Sequence, residues 1–163
     1  MTPLPLPLDA IKIGVRVETW RAAVAAAGDA LQRSGATAAG YTERMIAVID
    51  EFGAYVVIAP GLALAHARPG PDVLAEGLSI ITLAEPVAFG HPHNDPVRVV
   101  VGLAVRNAED HLQFVADLAN VFNDPLVIPA IAAATDAETV QALFGMNDSN
   151  DSTDATDSTE EPA

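Results

Sequence analysis

The chain has 163 residues, half of them hydrophobic, with 8 basic against 22 acidic side chains and no cysteine. That is the size of one domain with enough apolar surface for a sizeable core. A formal net charge of −14 argues against nucleic acid as a partner, and the missing cysteines exclude disulfides, thiolate catalysis and Cys-ligated zinc.

The first nine residues carry Pro3, Pro5 and Pro7 at alternate positions, which favours an extended arm and forbids helix. They lack the basic stretch and following apolar segment of a secretory signal, and no apolar run approaches the roughly 20 residues of a membrane span. The expectation is a cytoplasmic protein with no direct membrane insertion. Residues 10–17 alternate apolar and polar as a half-buried strand does, and Trp20 to Arg33 reads as an Ala-rich helix closed by Gly35. A second helix fits Ala39 to Phe52, with Met45, Ile46, Ile49 and Phe52 as its stripe and Gly53 as its stop. Tyr55 to Ile58 follows as a short strand, broken by Pro60 and Gly61, so that His66 is expected in a connecting loop.

Gly77 to Leu83 and Val97 to Val105 read as strands, the second apolar enough to be central, with the loop GHPHNDP between them. Asn107 and Asp110 open a helix running through Leu112, Val115, Leu118 and Phe122. Two shorter helices are expected at Asp124 to Ala134 and Thr135 to Phe144, the last with a Thr135 to Glu138 capping box. Residues 147–163 hold six acidic side chains and no Lys or Arg, which is the composition of a disordered acidic tail. The expectation is α/β: a single domain over residues 10–146, with a mixed sheet of four to five strands sandwiched between helices.

Four histidines are the candidates for chemistry. His111 falls near the fourth position of the helix opened by Asn107, where free N–H groups favour an anion; it serves either to support such an anion or to cover the helix start. Arg44, on the second helix, offers a planar fork of donors suited to phosphoryl oxygens, or else pairs with a nearby acid. Arg68 lies two residues after His66, on the same side of an extended backbone. His91 and His93, with His66 and His111, would give zinc four imidazoles, but no HExxH-type spacing accompanies them. No serine lies in a GxSxG turn, which argues against a hydrolase.

The run APGLALAHARP, followed by GLSIITLAEPVAFGHPHNDPVRVVVGLAVRNAEDHLQFVADLANVF, resembles the enzyme IIA domain of the fructose/mannitol type (type 2) in the phosphoenolpyruvate-dependent sugar phosphotransferase system (PTS). The A-P-G and H-A-R-P forms are similar to its ascorbate-class branch. The resemblance implies a phosphotransferase in which His66 accepts a phosphoryl group from the carrier HPr and passes it to an enzyme IIB, whose membrane partner IIC carries the sugar. It implies that His111, and an arginine of the second helix matched to Arg44, support the phosphoryl group, with no cofactor and no metal. Many relatives place Pro before the active histidine where this chain has Ala65, which restores an N–H and frees φ. The alternatives are a regulatory phosphoprotein of the nitrogen-related type using the same histidine, and a His-rich metal-binding module.

Overall fold

The computed structural model describes residues 6–144; the arm's first five residues and the acidic tail lie outside the described residues. In chain order the elements are β1 (Ile11–Val15), α1 (Trp20–Arg33), α2 (Gly40–Phe52), β2 (Val57–Ala59), β3 (Leu62–His66), β4 (Gly77–Val87), β5 (Val97–Ala104), α3 (Ala108–Val121) and α4 (Val127–Ala133). A last helix, α5, covers residues 137–144. The five strands form one mixed sheet in the order β1-β4-β5-β3-β2. β1 runs parallel to β4 and β3 parallel to β5, while β4/β5 and β2/β3 are antiparallel.

Two apolar layers cover the sheet. On one face α1 and α2 bring Val24, Ala27, Leu31, Tyr41 and Met45 against Ala63, Ala65, Ile81 and Val100. On the other, α3, α4 and α5 bring Leu118, Phe122, Ile131 and Phe144 against Leu62, Leu64, Val101 and Leu103. The alanines of α1 are what let a helix lie close to the strands. Gly102 of β5 meets Ser79, Leu31 and Ala27 where a Cβ would stand, and Ser79 donates its hydroxyl to the Ala27 carbonyl at 2.8 Å. Gly28 plays the same part between α1 and Thr42 of α2. Thr19 caps α1 by accepting from the Ala22 N–H at 3.2 Å.

The structure corrects four local expectations. Within the arm expected over residues 1–9, Leu8 and Asp9 are not extended, because Leu8–Ala10 forms a 3-10 turn closed by the Ala10 N–H on the Pro7 carbonyl. The run Leu62–His66 is a strand and not a connection: Pro60 and Gly61 make a hairpin turn, with Gly61 at φ 82°, and the chain re-enters the sheet immediately. The predicted helix at Asp124 to Ala134 shortens to Val127–Ala133. The α5 start is capped by Asp136, which accepts from the Thr139 N–H at 2.8 Å, and not by Thr135.

Candidate active site

His66 is the last residue of β3, and its register partner is Leu103 near the end of the parallel β5. The C-terminal ends of two adjacent parallel strands therefore meet at this point, and α3 starts five residues after Leu103. Strand alternation decides which way His66 faces: Ala63 and Ala65 lie beneath α1 and α2, Leu62 and Leu64 beneath α3 to α5. His66 follows Leu62 and Leu64, on the α3 side.

The ring is half-buried, with Nδ1 3.0 Å from the Leu64 carbonyl oxygen. A carbonyl only accepts, so this bond puts the proton on Nδ1 and leaves Nε2 with its lone pair. The Tyr55 ring lies nearly perpendicular to that of His66, at 6.2 Å between centroids and 81° between planes. Burial pushes the His66 pKa below the ordinary 6.5, opposed by the hydrogen bond to Leu64. At neutral pH the group is an uncharged imidazole with its in-plane lone pair on Nε2, the form that nucleophilic attack requires.

The backbone just beyond His66 is held from α2. Tyr41 is buried and donates its hydroxyl to the Leu103 carbonyl at 2.7 Å while accepting from the Ala67 N–H at 3.0 Å. It thus ties the end of β3 to the end of β5, and burial raises its pKa to about 12. One turn further on, Arg44 donates from Nε and Nη2 to the two carboxylate oxygens of Asp72 at 2.9 and 2.6 Å, and from Nη2 to the Arg68 carbonyl at 2.8 Å. Each partner holds the other charged: the Asp72 pKa is lowered chiefly by this hydrogen bond and that of Arg44 is raised by it. The Arg44 guanidinium also lies over the Tyr41 ring, 5.3 Å from its centroid.

The sequence-predicted residues are thus placed differently from one another. His66 stands at a strand end, and Arg44 reaches the same loop with its fork engaged by Asp72. His111 lies in the first turn of α3, at the same end of the sheet; its side chain lies outside the described residues. His91 and His93 belong to the loop before Val97, at the opposite end of β5 from Leu103. Six residues of strand, about 20 Å, separate that loop from His66, so the four imidazoles do not converge on one metal. Among the described residues no group of three His, Cys, Asp or Glu side chains is arranged to hold a metal ion.

Tyr41, Asp72 and Tyr55 escaped the sequence reading. Tyr41 had a signal, since a tyrosine on the apolar face of a helix needs a buried partner for its hydroxyl. Asp72 had none, being 28 residues from the Arg44 it pairs with. A recess of about 690 Å³ lies elsewhere, between Pro60, Asn94, Arg98, Phe122, Ile128 and Pro129. His66 is not among its walls; it stands at the opposite end of the sheet.

Comparison with known proteins joins this geometry to a family. Residues 5–146 match the model of "Phosphoenolpyruvate-dependent sugar phosphotransferase system, EIIA 2". The chain belongs to this family. It is therefore a phosphotransferase component of the phosphoryl relay. It is 35% identical over 115 residues to the ascorbate-specific PTS system EIIA component of Escherichia coli (strain K12), covering 70% of this chain and 75% of that one. Its fold superposes on the mannitol enzyme IIA of Escherichia coli in complex with phosphorylated enzyme IIB, with TM-score 0.76 and 27% identity over 87% of this chain and 99% of that one. It superposes similarly on the nitrogen regulatory protein IIA-Ntr of Neisseria meningitidis, with TM-score 0.74 and 26% identity over 85% and 95% of the two chains. Among the described residues no helix is long and apolar enough to cross a membrane.

Proposed function

We propose that the chain is a phosphocarrier that accepts a phosphoryl group from phospho-HPr on Nε2 of His66 and passes it to an enzyme IIB for carbohydrate uptake of the ascorbate class. The observation that carries this reading is the bond from Nδ1 of His66 to the Leu64 carbonyl, which fixes the tautomer with the lone pair on Nε2 at the end of a strand. In the transfer the Nε2 lone pair forms the new N–P bond while the N–P bond of the donor phosphohistidine breaks, its electron pair staying on the donor imidazole. Positive charge that develops on the His66 ring is shared by Nδ1–H, whose proton the carbonyl holds. The chemistry requires positioning and charge compensation, with no metal or cofactor.

The surroundings suit two successive macromolecular contacts. Phe52, Tyr55 and Ile58 are 63, 48 and 43% exposed; Phe52 packs edge to face on Tyr55, and Tyr55 on His66. An exposed apolar ridge against the acceptor is what a transient protein partner uses. His111 would act from the first turn of α3, where the helix N-terminus favours the phosphoryl charge. The acidic residues 147–163 would take no part.

The ascorbate-specific relative supports transport, and the complex of the mannitol relative supports a IIB acceptor. The likeness to a nitrogen regulatory IIA supports the second reading, a regulatory phosphoprotein using the same histidine. Incubation with phosphoenolpyruvate, enzyme I and HPr should label the protein once, with an acid-labile, base-stable phosphoryl group that a IIB domain of the same genome removes. Labelling without transfer to any such IIB would decide for regulation; labelling that persists in His66→Ala would remove His66 as the acceptor.

A further inference from the structure

Strand alternation does not stop at His66. Ala67 is buried beneath α1 and α2 with Ala63 and Ala65, so the backbone keeps its two-residue period for one step beyond β3. Arg68 therefore falls with Leu62, Leu64 and His66 on the face turned to α3. Its Cα stands about 7 Å from that of His66, well within the length of an arginine side chain.

The backbone on which Arg68 rides is fixed at both of its polar ends. The Ala67 N–H is bound by Tyr41, and the Arg68 carbonyl by Arg44. Its side chain, by contrast, is exposed, and among the described residues it makes no ion pair. Arg44 is in the reverse condition. It rises from the α2 layer, across the sheet from the face that His66 shares, and its Nε and Nη2 are taken by Asp72 and the Arg68 carbonyl.

We propose that Arg68 is the cation that holds the phosphoryl group on Nε2 of His66, and that the Arg44–Asp72 pair is a positioning device that aims the backbone of Arg68. The proposal rests on His66 as the acceptor. A chain with a formal charge of −14 repels an incoming phosphoryl group, so a local cation beside the nucleophile has to offset that field. A guanidinium supplies two parallel N–H donors to the oxygens as they leave the donor imidazole. Arg68 provides that fork from the correct face, and the α2 clamp keeps its backbone from drifting while HPr and IIB exchange places.

The test is phosphoryl exchange with phospho-HPr, followed by ³¹P titration of the phosphohistidine, in the full-length protein. Arg68→Ala should slow acceptance by about 10- to 100-fold, the loss of one charge-assisted bidentate contact. It should shift the phosphoryl equilibrium toward HPr, leave the melting temperature unchanged and raise the ³¹P titration midpoint, because a cation favours the dianion. Arg68→Lys should recover part of each loss. Arg98→Ala, which removes the same charge at the other end of the sheet, should change none of these readouts. Arg44→Ala should lower the melting temperature and slow acceptance less than Arg68→Ala, and the double variant should be no slower than Arg68→Ala alone. Wild-type exchange and ³¹P behaviour in Arg68→Ala, with His66→Ala unlabelled, would overturn the role of Arg68 alone. Additive losses in the double variant would show Arg44 acting on the phosphoryl group directly and would overturn the division of labour. Labelling of His66→Ala would instead strike the acceptor assignment beneath the proposal.

Discussion

The two ends of β5 each carry a histidine whose Nδ1 is hydrogen-bonded to backbone, and the bonds run in opposite directions. At the Leu103 end, Nδ1 of His66 faces the carbonyl of Leu64 and must donate. At the Val97 end, Nδ1 of His91 accepts from the N–H groups of His93 and Asn94, both at 3.0 Å. The first arrangement puts the lone pair on Nε2, and the second places the proton there. The same ring nitrogen is thus a donor at one end and a turn-forming acceptor at the other. The backbone groups around each ring make the difference.

The largest effects should separate these ends outright. His66→Ala should lose phosphoryl acceptance by more than about a thousandfold, the proposed acceptor being gone. His91→Ala should accept at the wild-type rate and lose about 1–2 kcal/mol of stability, because two N–H groups lose their acceptor. Phosphorylation assays and thermal melts on both variants make the comparison; a phosphorylation defect in His91→Ala of the same order would erase it.

The clamps at each end offer the next contrast. Tyr41→Phe strips the Leu103 carbonyl and the Ala67 N–H of their partner in a buried setting and should cost about 2 kcal/mol or more, with slower phosphoryl acceptance. Asp95 accepts from the N–H groups of Phe89, Gly90 and His91. Asp95→Ala should destabilise the loop comparably while leaving acceptance at the wild-type rate. Equal kinetic losses in the two variants would mean that stability alone governs transfer.

These pairings mark what the sequence made legible. α1 was readable to its ends because its Ala-rich stripe and Gly35 stop agree, and the structure adds the Thr19 cap. β3 was not, since LALAH between Pro60-Gly61 and Arg68-Pro69 carries no polar alternation. A strand covered on both faces and lying inside the sheet has none to show. His66 was recognisable from its motif, yet its surroundings are long-range. Tyr41 lies 62 residues from the Leu103 it binds, and Arg44 lies 28 from Asp72. Such contacts are products of topology, and local patterning does not encode them. The capping of α5 by Asp136 in place of Thr135 is a smaller case, a choice between adjacent side chains that differ by one position in reach.

The tautomer argument also fixes the direction of a pH effect. Burial holds the His66 pKa below 6.5, so the ring stays neutral to a lower pH than a free imidazole does. Acceptance should be at its plateau above about pH 6.5 and fall as pH drops through a midpoint below it, when Nε2 takes a proton. Rates of labelling from phospho-HPr across pH 5 to 8, corrected for the donor's own titration, check this; a midpoint above 6.5 would mean that the ring faces an anion that outweighs burial.

The smallest expected effect concerns the surface beside His66. Phe52 and Ile58 contribute exposed apolar area, and truncating either leaves the core intact, so stability should change by less than about 0.5 kcal/mol. Both lie at or beside the edge of the sheet formed by β2, next to the strand that ends in His66. Transient partners bind through small interfaces in which an apolar anchor contributes on the order of 1 kcal/mol. Phe52→Ser should therefore raise the KM for phospho-HPr a few-fold and leave kcat in place, since the phosphoryl site is untouched. Leu126→Ser, which removes a comparably exposed apolar side chain on the segment leading into α4, should change neither constant. Should Leu126→Ser match Phe52→Ser in KM, the partner would be reading general surface character, and the ridge beside His66 would lose its claim as the docking edge.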